Sequence, residues 1–163
     1  MTVFLCAACA APLTEDLVRL EYVPARPGYD GHKQADGERR APSTVERGRY
    51  AVDPDPSGAP FVPAPTEECV EAYPGGPCKS DPDGPGFLIS AGPRNTILLH
   101  PDDAVALVPH PEDERRTGCC GPTGDDGVNW ICPCGNEVAT LMADCWTPYE
   151  LHLVPDRVRP TEA

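Results

Sequence analysis

Phe4-Leu5-Cys6-Ala7-Ala8-Cys9-Ala10-Ala11-Pro12-Leu13 and Trp130-Ile131-Cys132-Pro133-Cys134-Gly135-Asn136-Glu137-Val138 read as two versions of one motif, set far apart in the chain. Each runs aromatic, aliphatic, cysteine, and one deletion between the cysteines of the first brings the rest into line. Each also sets an aliphatic residue four positions beyond its second cysteine, where a strand returning beneath the thiols would start. Zinc takes four ligands tetrahedrally, with sulfur at about 2.3 Å, so two knuckles of two thiolates close one site. Gly135 suits the left-handed turn that follows a knuckle. The repeat therefore predicts a structural zinc ion held by Cys6, Cys9, Cys132 and Cys134.

The second knuckle is one residue shorter than the first, so its bite is tighter and its backbone must bend. Cys119 or Cys120 could instead take the place of Cys132, and the cysteines could also be small buried apolar residues with no metal. A bond between the adjacent Cys119 and Cys120 would be strained, which favours free thiols. Cys69 and Cys78 could meet if oxidised, and Cys145 beside Trp146 reads as core. A second metal site drawn from Cys119, Cys120, Cys145 and His152 is a further alternative.

Composition supports a stapled, loop-rich chain. With 163 residues there is room for one core, and 22 Pro plus 15 Gly disfavour long regular elements. The expected organisation is a single zinc-stapled domain over 1–163, with 24–86 as an irregular or partly disordered insertion. The net charge is −13, and residues 61–163 hold six Lys/Arg against seventeen Asp/Glu. Such a surface repels phosphate backbones and argues against nucleic-acid binding. Arg39, Arg40, Arg47 and Arg49 form a local basic cluster, read as a solvated loop. No run reaches the ~18 apolar residues of a membrane helix, and the apolar stretch 3–13 has no preceding Lys or Arg, unlike an export signal. A cytoplasmic location follows as an expectation, and reducing conditions there favour cysteine as a metal ligand over cysteine as a disulfide.

The patterning predicts mainly β structure. Leu17 to Val23 alternates as a half-buried strand does; Phe87–Ser90 and Thr96–Leu99 flank a five-residue link and read as a β-hairpin insertion. Residues 104–108 suit a third strand, or a helical turn capped by Asp102 and Asp103, and 138–142 and 151–154 suit two more strands. Long Pro/Gly-rich loops join them.

The paired knuckles, with Gly118-Cys119-Cys120-Gly121, then Gly124, Gly127 and Asn129, Cys134-Gly135-Asn136-Glu137 and Asp144-Cys145-Trp146, resemble zinc-ribbon families and a group of small uncharacterised actinobacterial proteins. The resemblance implies a zinc-ribbon-like core, a metal with a structural role, and an interaction module whose partner is another protein.

Catalytic signatures are sparse. Glu137 lies three residues past Cys134, but the His-x-Glu that accompanies such a pair in zinc deaminases is missing, so Glu137 reads as a solvent-facing strand residue. His100-Pro101-Asp102-Asp103 and His110-Pro111-Glu112-Asp113 read as Pro turns with acidic caps. Gly121 to Gly127 lacks the Lys of a phosphate loop and carries Asp125 and Asp126, which would repel phosphate. The expected function is a small structural-zinc protein that binds another protein. The alternatives are a thiol-based redox or zinc-release sensor, from the five further cysteines, and a zinc-dependent hydrolase, which would need an open coordination position.

Overall fold

Leu98, Leu99, Leu151 and Leu153 are buried almost completely, and the strands that carry them lie side by side at the centre of the protein. The computed structural model describes residues 1–33, 35–66 and 78–162. The chain forms β1 (Thr2–Cys6), β2 (Val18–Arg19), β3 (Arg49–Asp53), β4 (Phe61–Pro63), β5 (Cys78–Ser80) and β6 (Phe87–Ser90). It continues with β7 (Thr96–Leu99), β8 (Val108–Pro109), β9 (Trp130–Ile131), β10 (Glu137–Met142), β11 (Glu150–Leu153) and β12 (Val158–Glu162). Among the described residues the only helical turns are short 3-10 turns, as the density of proline leads one to expect. The protein is mainly β.

Seven strands form the main sheet in the order β2-β3-β7-β11-β10-β9-β8. β1 and β12 pair antiparallel as a separate ribbon, with Cys6 opposite Val158 and Phe4 opposite Pro160. The ribbon closes over one face of the sheet. Phe4, Leu13, Leu17 and Val158 pack there with Tyr50, Leu99, Val138, Leu151 and Leu153, and the rings of Phe4 and Tyr50 meet edge to face at 5.0 Å. Each aliphatic side chain so enclosed contributes roughly 1.5–3 kcal/mol. Cys6 and Cys132 belong to the same cluster, so the knuckles stand at the end of the core.

All four residues of β11 are buried, which requires cover on both sides of the sheet. Leu151 and Leu153 face the apolar core, and by strand alternation Glu150 and His152 face the other side. There the Glu150 carboxylate accepts hydrogen bonds from Arg26 Nε (2.8 Å) and Thr44 Oγ1 (2.5 Å), and lies 2.8 Å from His152 Nε2. The other ring nitrogen, Nδ1, is 2.8 Å from Thr96 Oγ1, and Arg26 Nη2 also donates to Asp53 at 3.0 Å. Burial opposes ionisation of Glu150, but the His152 and Arg26 charges and the Thr44 hydroxyl outweigh it and hold the carboxyl down to about 2.

Several expectations change. Phe87–Ser90 and Thr96–Leu99 are both strands, but they do not pair with each other: β6 joins β4 and β5 in a three-stranded sheet, while β7 enters the main sheet between β3 and β11. The link between them packs against another turn instead of folding back. Ser90 Oγ donates to Gly58 O (2.6 Å), Ser57 N donates to Pro93 O (3.0 Å), and a Cβ on Gly92 would lie 2.1 Å from Ser57 O. The antiparallel neighbour of β6 nearest in sequence is β5. Residues 24–86 contain β3, β4 and β5, and β3 is an inner strand of the main sheet. The strand foreseen over 17–23 is only Val18–Arg19, and neither the strand nor the helical turn foreseen over 104–108 forms there: a 3-10 turn at Pro101–Asp103 comes before it and β8 starts only at Val108.

Candidate metal centre

Cys6 ends β1 and Cys9 sits in the turn after it; Cys132 follows β9 and Cys134 sits in the turn before β10. The four sulfurs lie within 4.8 Å of one another. Cys6 and Cys134 are 3.7 Å apart and Cys9 and Cys132 are 3.5 Å apart, close to the ~3.8 Å edge of a tetrahedron with 2.3 Å metal–sulfur bonds. This group could hold a metal ion. Cys132, not Cys119 or Cys120, stands with the other three.

The two knuckles share their backbone bonding despite the difference in length. In the first, Ala10 N donates to Cys6 O (2.9 Å) and Cys6 N to Ala11 O (2.8 Å); in the second, Gly135 N donates to Cys132 O (2.8 Å) and Cys132 N to Asn136 O (2.9 Å). The residue after each second cysteine has a positive φ, 61° at Ala10 and 91° at Gly135. Leu13 and Val138, the matched aliphatic residues, are both fully buried in the core cluster that includes Cys6 and Cys132. Val138 lies in β10, whereas Leu13 lies between isolated bridges made by Pro12 and Thr14.

Asn136 was not singled out from the sequence, although it directly follows a knuckle glycine. Its Nδ2 donates to Cys6 Sγ at 3.3 Å and to Arg157 O at 3.1 Å, so a residue of one knuckle braces a sulfur of the other. Burial raises the Cys6 thiol, but the Asn136 amide and the backbone N–H groups of Cys9 and Ala8 outweigh it and hold the thiol down to about 6. Burial, joined by hydrogen bonding with the neighbouring thiols of Cys134, Cys9 and Cys6, pushes the Cys132 thiol up to about 12.

The remaining candidates fall elsewhere. Cys119, Cys120 and Cys145 form a second group of sulfurs within 4.8 Å of one another. His152, expected beside them, is enclosed instead by Glu150 and Thr96. The suggested meeting of Cys69 and Cys78 lies outside the described residues. Glu137 stands on β10, partly exposed, with its carboxylate 3.2 Å from His110 Nε2 and 3.4 Å from Arg115 Nη1. Both His-Pro motifs form Pro turns, but the capping group is the histidine itself. His100 Nδ1 accepts from Asp102 N at 3.0 Å and His110 Nδ1 from Glu112 N at 3.1 Å. Asp103 is buried in the turn, where it accepts from Arg47 Nε (3.1 Å) and Gly48 N (2.7 Å). Comparison with known protein families, curated proteins and solved structures finds no match to this chain, so the geometry of its own residues carries the assignment of the site.

Proposed function

We propose that Cys6, Cys9, Cys132 and Cys134 hold a structural zinc ion that fastens the two ends of the fold in a zinc-ribbon-like centre, and that the protein acts by binding another protein. The observation that carries the reading is the paired knuckle, with matched backbone bonds and four sulfurs at tetrahedral separations. Thiolate donors suit zinc, and a shell of four leaves no position for a substrate or a reactive water. The metal would add rigidity where the β1–β12 ribbon meets the main sheet, and thiols kept as ligands fit a reducing compartment such as the cytoplasm. The charge of −13 suits a partner with a basic face and disfavours nucleic acid.

Metal analysis and X-ray absorption on purified protein test the centre. In the C119S/C120S variant, which keeps only the four knuckle cysteines together, four sulfurs at about 2.3 Å and loss of folding on chelation are expected, while a folded metal-free chain, or a shell containing nitrogen or oxygen, overturns it. Pull-down at graded salt tests the interaction: a captured protein should dissociate as ionic strength rises. A second reading, a thiol-based redox or zinc-release sensor, is favoured by Cys119 and Cys120, both exposed with sulfurs 3.9 Å apart. Fast, reversible oxidation of this pair by peroxide supports it, and slow, indiscriminate oxidation counts against it.

A further inference from the structure

The loop Gly118-Cys119-Cys120-Gly121 is folded hard against Ala143-Asp144-Cys145. Cys120 N donates to Asp144 Oδ1 at 2.6 Å, and Ala143 N donates to Pro122 O at 2.9 Å. Asp144 is itself buried and fixed, its backbone N–H donating to Thr147 Oγ1 at 3.0 Å. The glycines permit this closeness: a Cβ on Gly118 would lie 1.7 Å from Gly121 O, and one on Gly121 would lie 2.5 Å from Ala143 O. The outcome is that Cys145, buried, and the exposed Cys119 and Cys120 bring three sulfurs within 4.8 Å of one another. Three thiols from two chain segments, at separations that one ion spans, form a ligand set independent of the four-cysteine knuckles.

We infer that Cys119, Cys120 and Cys145 form a second metal site, for a thiophilic divalent ion of the zinc class, with an exchangeable fourth ligand. Three protein ligands leave a tetrahedral ion one open position, unlike the closed four-thiolate centre. Cys120 also lines a cavity of about 520 Å³ where Lys33, Arg39 and Arg40 outnumber the one acidic residue, Glu38. This cavity gives a small ligand access to the ion, and its cationic lining favours an anion there. Arg39 and Arg40, two of the four basic residues that the sequence presents as a solvated loop, thus border the site, whereas Arg47 pairs with Asp103 elsewhere.

Cobalt titration under anaerobic, reducing conditions tests the site on the intact chain. Two equivalents should bind, the second with weaker sulfur-to-cobalt charge transfer than the first and a spectrum that shifts when thiocyanate is added. In the double variant C119S/C120S one equivalent should remain, with the four-sulfur spectrum and the fold intact, because both side chains are exposed. Gly121→Ala should also lose the second equivalent while keeping every cysteine. A single equivalent with the four-sulfur spectrum in the unaltered protein overturns the site, as does retention of two in the double variant. A second equivalent indifferent to thiocyanate overturns the open position, and a Cys119–Cys120 disulfide persisting in reduced protein overturns the ligand set. Failure of the knuckle centre would show separately, as loss of the four-sulfur spectrum.

Discussion

Replacing Glu150 by Gln tests whether the polar face of the main sheet is held by charge. The carboxylate is wholly buried, and its partners Arg26, Thr44 and His152 come from two loops and its own strand. Its pKa falls from 4.5 to about 2 on folding, which corresponds to about 3 kcal/mol in favour of the folded state at neutral pH. Because the folded value is the lower one, this contribution is complete above the unfolded value and disappears as pH falls toward the folded one. At pH 3.5 about 2 kcal/mol should remain. Gln keeps the shape but not the charge, so Glu150→Gln should destabilise by about 3 kcal/mol at pH 7, the range for breaking a buried ion pair. Urea unfolding of both metal-loaded proteins at pH 7, where the thiolate centre keeps its metal, measures this. A loss below about 1 kcal/mol at pH 7 would refute the argument.

Other outcomes follow from the knuckles and the core beneath them. Leu13→Ala removes a fully buried side chain of the core cluster that includes Cys6 and Cys132 and should cost about 2–5 kcal/mol in chemical denaturation, with the metal still bound in the folded protein. Ala10→Gly relieves a non-glycine residue at φ 61° and should raise the unfolding free energy by up to about 1 kcal/mol, without changing metal stoichiometry. Asn136→Ala removes the amide that reaches the Cys6 sulfur across the site and should weaken metal affinity by about 10–100-fold in a competition titration against a chelator.

Much of the site was legible in the sequence because a knuckle is a local device. Cysteine spacing, a following residue able to take positive φ and an aliphatic residue four positions on are properties of short stretches. The internal repeat then matched two such stretches across more than a hundred residues. Strands with strong patterning, such as β7, β10 and β11, were legible for the same reason. Pairing was not, because a five-residue link between apolar runs serves a hairpin or a crossing between sheets equally well. What decided the matter was the contact of Gly92 and Ser90 with residues 57–60, which local pattern cannot register.

The sequence by itself therefore determined the β character, the two knuckles and the acidic surface, all of which depend on neighbouring residues or on summed composition. Only the tertiary structure decided that Cys132 stands with Cys6, Cys9 and Cys134, while Cys119 and Cys120 gather around Cys145. It also withdrew His152 from the thiols, by burying it between Glu150 and Thr96 on the opposite face of β11 from Leu151. The physical reason is common to these cases: a thiol or an imidazole is defined chemically by the groups within a few ångströms, and distant parts of the chain supply them.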